Sequence, residues 1–285
     1  MSMASEPTKY VVSQPVLNQR ARRTVDWKKM ESVAYPLVFG AALLTMWSTG
    51  ILNTILGADD FTLPGPGRIA VVFARNIGTI LENLQATVAA ALGGLVLGSL
   101  LGFVVAMIAS GFPRWGTGGV TVISAFNAVP IIAIAPIMTN LTKDFSSDPS
   151  TRSMIAKMLV VMITCTVAMS VNAYRGLTEL KPFGRDLMRS FAASRRQIFF
   201  KLRLPNSIPY VFTALRISVP ASIISAMVSE YFAEYVIGVG RQIRESIVLA
   251  QYTTAWAYIF AALFLGLSMY GVLMIVERTL LRWKP

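Results

Sequence analysis

Histidine is absent from this 285-residue chain, and with it the commonest metal ligand and the commonest general base near neutral pH. Cysteine occurs once, as Cys165 inside an apolar run, so no disulfide can close within the chain. No G-x-x-x-x-G-K-[ST] segment is present, which excludes ATP binding by a phosphate-binding loop. Internal repeats are not visible. Charge is scarce: Asp, Glu, Lys and Arg make up 14% of the residues, with 14 acids against 26 bases. So few charges do not clothe an ordinary soluble domain.

Apolar residues fill the space. They form 54% of the chain, and the mean hydropathy is +0.59. A membrane-crossing helix needs about 20 mostly apolar residues. Six stretches qualify: 32–56, 87–110, 117–141, 153–173, 210–233 and 255–277. The expected fold is all-α, a polytopic membrane protein with about six transmembrane helices. Residues 1–30 form a polar arm, rich at its start in Ser, Pro and Gln and expected to be disordered. Residues 31–285 form the membrane domain. The first stretch is long and is followed by Gly57-Ala-Asp-Asp rather than a small-residue cleavage site, so it reads as an uncleaved anchor.

A net charge of +12 raises the question of nucleic acid, but the basic residues sit in loops beside apolar runs, where they report topology. With the N-terminus inside, 18 of the 26 basic residues lie on the inner side and 6 on the outer. Lys157 and Arg216 fall near span ends and count for neither. Both termini and the loop at 175–209 are thus expected to face the cytoplasm. In the outer segment 59–86, Leu63-Pro-Gly-Pro-Gly67 makes a rigid turn. The periodic stretch 69–84 that follows contains Arg75, Asn76, Glu82 and Asn83 and reads as an interfacial helix.

The inner loop is the richest segment. Leu187, Phe191, Ser194, Ile198 and Leu202 recur every three or four residues, one apolar helical face among arginines. Ser194 followed by Gln197 has the form of a capping box, which predicts two short helices with a turn at Ala192-Ala193. Pro205 and Pro209 are expected to break the helix before the next span. Composition alone allows two readings: a basic helix lying on anionic lipid, or a docking element.

Register favours docking. The loop resembles the cytoplasmic coupling loop of ABC-importer permeases, E-A-A-x-x-x-G, a spacer, then I-x-L-P. Asp186, Leu187 and Met188 fall on E-A-A, Ala192 on the Gly, Leu202 on the Ile, and Leu204-Pro205 on L-P. Ala at the Gly position departs from the pattern where a left-handed backbone is wanted.

Other segments resemble the nitrate/sulfonate/taurine branch of that family, in order. They are Leu63-Pro-Gly-Pro, Asn127-Ala-Val-Pro-Ile-Ile-Ala-Ile-Ala-Pro136, Asn172-Ala-Tyr-Arg-Gly-Leu177, Leu204-Pro-Asn-Ser-Ile-Pro-Tyr-Val-Phe-Thr-Ala-Leu-Arg-Ile217 and Gly238-Val-Gly240. Asn127 stands where the family usually has Arg.

The resemblance implies a type I importer permease that performs no chemistry. Its implied partners are a second permease subunit, expected to be identical, a cytoplasmic ABC ATPase dimer, an extracytoplasmic solute-binding protein and membrane lipid. The expected coupling residues are Asp186, Leu187, Met188, Phe191, Ala192, Ser194, Ile198, Leu204 and Pro205. Candidate pathway residues are Asn127, Pro130, Pro136, Ser222, Ser225 and Glu230.

Each pathway candidate has a plainer reading. Pro130 and Pro136 are packing kinks or pathway-lining kinks, since carbonyls freed by Pro must face protein or a wet cavity. Asn127 is a helix-to-helix hydrogen bond or a substrate contact. Ser218, Ser222, Ser225 and Ser229 share one face, for close packing or for a pore. Glu230 is a functional intramembrane acid or a solvated rim acid. Gly93, Gly94, Gly98 and Gly102 read as helix packing. Ser229-Glu-Tyr-Phe232 resembles a pattern in branch members that carry pyrimidine-like heterocycles; sulfonate- or nitrate-like anions are the other substrate class. The rival function is a secondary transporter driven by an ion gradient, which ordinarily shows repeats and mid-span charges. Neither is evident in the sequence.

Overall fold

A computed structural model of the chain describes residues 27–112, 114–233 and 237–281, and every regular element among them is helical. The expected disorder of the N-terminal arm falls almost wholly outside the described residues, as do Arg282 and Lys284. The chain divides into two compact units, residues 1–52 and 53–285.

In the first unit, α1 (Trp27–Ser48) is apolar over 34–48 and carries Pro36 within it. Gly50 then takes φ +79°, a left-handed backbone that glycine adopts without penalty. The stretch expected as one span over 32–56 is therefore divided, and α2 (Ile51–Leu56) follows as a separate short helix.

Beyond α2 the second unit continues with α3 (Pro66–Arg75), whose first position is proline, where the missing N–H costs nothing. Asn76 separates α3 from α4 (Ile77–Gly111). The interfacial helix expected over 69–84 is thus two elements. Its second half is the start of a 35-residue helix that begins ten residues before the predicted span at 87.

The core is built by α4, α7 (Pro149–Thr178) and α10 (Leu204–Phe232). Gly94, Gly98 and Gly102 put the α4 backbone directly against α7. A Cβ at Gly98 would sit 2.5 Å from the Met162 carbonyl oxygen, and one at Gly102 equally close to that of Thr166. This is the small-residue packing read from the sequence. Ala91, Leu95, Val161, Cys165, Val219, Ile223 and Ala226 fill the space among the three helices. Asp148 caps α7 by accepting from the Ser150 and Thr151 amides. The Thr151 hydroxyl, followed by those two amides, holds its carboxyl below the usual range.

The expected third span is broken rather than kinked. α5 (Gly116–Ala125) runs through one 3₁₀ turn (Phe126–Ala128), and α6 (Ile131–Leu141) departs at 95°. Pro130 causes this. It has no N–H to donate, and it forces the preceding Val129 into an extended conformation (φ −76°, ψ 124°). Pro136 sits inside α6 without ending it.

Pro205 and Pro209 do not break the chain's helix as expected. α9 (Arg195–Ile198), a five-residue π turn (Phe199–Arg203) and α10 run on continuously. The wide turn ends at Arg203, and Pro205 then occupies the first turn of α10, where proline is tolerated. α11 (Val239–Val248) and α12 (Tyr252–Leu280) complete the unit. Among the described residues, four helices are long and apolar enough to cross a membrane, or five when the bent pair counts as one span.

Candidate functional site

Between α7 and α9 lies α8 (Gly184–Ser190), and α8, α9 and the π turn form an elbow. Phe183 at φ +62° starts α8, and Ala192 at φ +52° turns the chain between the helices. The turn falls at the position read from the sequence, and Ala adopts the left-handed backbone that glycine would take more cheaply. Ser194 and Gln197 form the full capping box. The Ser194 hydroxyl accepts from the Gln197 amide, and the Gln197 side chain accepts from the Ser194 amide at 2.8 Å. Of the expected apolar face, Ile198 is buried and roots the elbow. Phe183, Leu187 and Phe191 are 83, 60 and 77% exposed. Asp186 and Ala192 are exposed, and Met188, Leu204 and Pro205 are partly covered.

The pathway candidates fall into two separate groups. Asn127, Pro130 and Pro136 are all exposed on the broken helix pair. Ser222, Ser225 and Glu230 are sealed inside the packing of α10 against α4 and α7. The Ser225 hydroxyl donates to that of Thr164 at 3.2 Å. Ser222 and Ser229 hydroxyls bond back to the carbonyls of Val219 and Ala226 in their own helix. The serine face thus packs helix against helix.

Glu230 is the centre of a buried polar cluster. Lys157 of α7 donates from Nζ to Glu230 Oε1 at 3.2 Å, with side-chain exposures of 1 and 0%. The Thr87 hydroxyl donates to Oε2 at 2.9 Å and accepts the Val239 amide at 3.0 Å. The Gly240 amide donates to Oε2 at 3.0 Å, and Lys157 also donates to the Ile237 carbonyl at 2.9 Å. Asn83 accepts from the Gly238 amide at 3.0 Å.

The segment before α11 is thereby tied to α4, α7 and α10 through one carboxylate. Gly238-Val-Gly240 follows from this closeness. A Cβ on Gly238 would overlap the Glu230 carboxylate, and one on Gly240 would lie 2.9 Å from Glu230 Cβ. The reading of Glu230 as a solvated rim acid is overturned by its complete burial. The expectation that no charges lie deep within the spans likewise misses this pair. Lys157 lies near the start of the expected span at 153–173 and so counts for neither side in the charge bias. An isolated Lys in an apolar run, with an acid elsewhere in another, was the available signal. Arg216 also has a partner: it grips Glu277 of α12 with two hydrogen bonds, Nε to Oε2 at 2.7 Å and Nη2 to Oε1 at 2.5 Å.

Residues 94–282 match the family model of the binding-protein-dependent transport system inner membrane component. The formylaminopyrimidine transport permease protein ThiX of Halalkalibacterium halodurans is 25% identical, over 90% of this chain and 98% of its own length. The riboflavin transport system permease protein RibX of Chloroflexus aurantiacus is 26% identical over 85% of this chain and 87% of its own. A putative aliphatic sulfonates transport permease, SsuC of Bacillus subtilis, is 22% identical over 95% of each. In fold, 72% of the chain superposes on 96% of a chain from an amino acid ABC transporter, with a TM-score of 0.55 and 17% identity.

Proposed function

Because the chain belongs to the family of binding-protein-dependent transport system inner membrane components, and is an ABC-importer permease of the inner membrane, we propose that it forms one half of a solute pathway driven by a partner ATPase docked on the α8–α9 elbow. The observation that carries this is the elbow itself. It holds Phe183, Leu187 and Phe191 out on a rigid, capped support, where no part of the described chain covers them. Exposed aromatic and aliphatic anchors beside arginines suit insertion into a protein groove. A flat lipid surface asks less of geometry. The charge bias supports a cytoplasmic elbow, cytoplasmic termini and a permease domain over 31–285.

The second permease subunit would be another copy of this chain, and a solute-binding protein would deliver substrate from outside. Asn127 exposes an amide on the broken helix pair and makes no hydrogen bond to another described residue, so it is the best-placed pathway contact of the candidates. Pro130 and Pro136 shape that surface. The substrate is a small polar solute, and a pyrimidine-like heterocycle is favoured over a sulfonate- or nitrate-like anion. The near full-length similarity to a formylaminopyrimidine permease supports that preference. A secondary transporter driven by an ion gradient is not favoured by the family.

The test is Phe191→Ala in the reconstituted complex. Loss of a buried anchor costs about 2 kcal/mol, or roughly thirtyfold in docking affinity. ATP hydrolysis and transport should fall together, while membrane insertion is unchanged. Undiminished coupled activity with intact assembly would remove the docking role. The permease purified alone should hydrolyse no ATP.

A further inference from the structure

A cleft of about 590 Å³ lies between the C-terminal end of α4 and the elbow. Four arginines line it. Arg185 and Arg189 come from α8, one turn apart and so on one face. Arg195 opens α9, and Arg203 closes the π turn. Ser110 and Gly111 form part of the opposite wall. No acidic residue lines the cleft, and none of the four arginines joins an ion pair among the described residues.

Arg203 is held in place by one hydrogen bond, from Nη1 to the Ser110 carbonyl at 3.3 Å. Its Nε is buried and has no partner. The like charges of Arg185 and Arg203 oppose one another.

The guanidinium groups are therefore gathered by local folding rather than by mutual attraction. The helix spacing sets Arg185 and Arg189, the capping box sets Arg195, and the π turn sets Arg203. Holding like charges together costs energy. An oxyanion in the cleft offsets that repulsion, and the planar fork of arginine matches phosphate oxygens two at a time. The volume falls in the range of small-molecule sites, roughly 300–1,000 Å³. That is more room than one bare ion needs.

We propose that this cleft binds a phosphate-bearing anion, supplied either as a soluble phosphate compound or as the headgroup of an anionic lipid. Occupancy would tie the elbow to the end of α4. The exposed docking anchors Phe183, Leu187 and Phe191 do not line the cleft, so its occupancy can be tested without the ATPase.

The experiment measures the thermal unfolding midpoint of the full chain in neutral detergent. One arm titrates inorganic pyrophosphate against chloride of matched ionic strength; the other titrates phosphatidylglycerol against phosphatidylcholine in mixed micelles. The variants are Arg189→Gln, Arg203→Gln and, as a control on the same loop but outside the cleft, Arg196→Gln. A saturable rise in midpoint is expected with at least one phosphate probe. The half-saturating concentration should increase about tenfold or more in Arg189→Gln and Arg203→Gln, as for loss of one charge-assisted hydrogen bond. Arg196→Gln should behave as the parent chain. Response to pyrophosphate identifies a soluble ligand, and response to phosphatidylglycerol alone identifies a headgroup. Arg189→Gln keeps the result readable if Arg203→Gln fails to fold. The proposal is overturned by no saturable response to either probe. Equal responses in Arg189→Gln and Arg196→Gln overturn it too, as does a response that appears only with the ATPase bound, which would assign the arginines to an acidic partner surface.

Discussion

At the Lys157–Glu230 pair, removing one partner strands the other's charge where water does not reach. Breaking a buried pair in this way typically costs 3–5 kcal/mol, roughly, while replacing both partners by neutral groups costs much less. Lys157→Met and Glu230→Gln should each lower the unfolding midpoint of the purified chain sharply. The double variant should recover a large part of the loss, and strictly additive losses would deny the coupling. Glu230 was legible in the sequence as an acid in an apolar span. Its partner was not, because the two residues lie 73 positions apart and nothing local joins them.

Ala192 makes the opposite case: here local reasoning reached the backbone conformation itself. With φ at +52°, Ala bears the steric cost of the left-handed region, about 1 kcal/mol relative to Gly. Ala192→Gly should therefore hold or raise the midpoint, whereas Ala193→Gly, next to it, should lower it. Thermal unfolding of the two variants side by side checks this.

At the scale of elements, the α4–α7 contact rests on missing side chains. Gly98→Ala pushes a Cβ against the Met162 carbonyl, a backbone atom that cannot rotate away. Overpacking of this kind costs typically 1–3 kcal/mol, roughly. The same substitution at Gly118, where a Cβ meets nothing within 4 Å, should be near neutral. Helix propensity favours Ala over Gly at both sites, so similar losses at both would show that the close approach does not govern the effect.

The glycine spacing announced this contact, and Pro130 announced a disturbance in the third span. How large the disturbance is depends on what receives the departing helix. α6 packs through Ala135 into a cluster with Ala156, Val160 and Ala233. That destination turns a kink into a 95° break. The π turn before Pro205 is invisible in the sequence for a related reason. A wide turn and a helix end look alike until the following helix is seen to be continuous.

For the molecule as a whole, orientation is the consequence most open to measurement. Native Cys165 is buried, so single engineered cysteines can be read against a silent background. Arg195→Cys should label only after permeabilisation. Asp59→Cys and Arg244→Cys should label in intact cells with a membrane-impermeant maleimide. Labelling of residue 195 from outside would reverse the orientation and remove the elbow from the ATPase's side.

Composition and period by themselves determined that this is an all-helical membrane chain, where most of its apolar runs lie, and that its basic loop folds as two helices. Those features depend on transfer of side chains out of water and on hydrogen bonds within a few residues, and both are written locally. The order of short motifs carried the family as well. Only the tertiary structure decided that the serine face of α10 packs rather than opens, and that Glu230 is sealed by Lys157 and Thr87. It also brought four arginines from three elements to one cleft. Each of these turns on which distant residue comes to lie within about 3 Å, and burial changes the energy of a charge far more than its neighbours in sequence do.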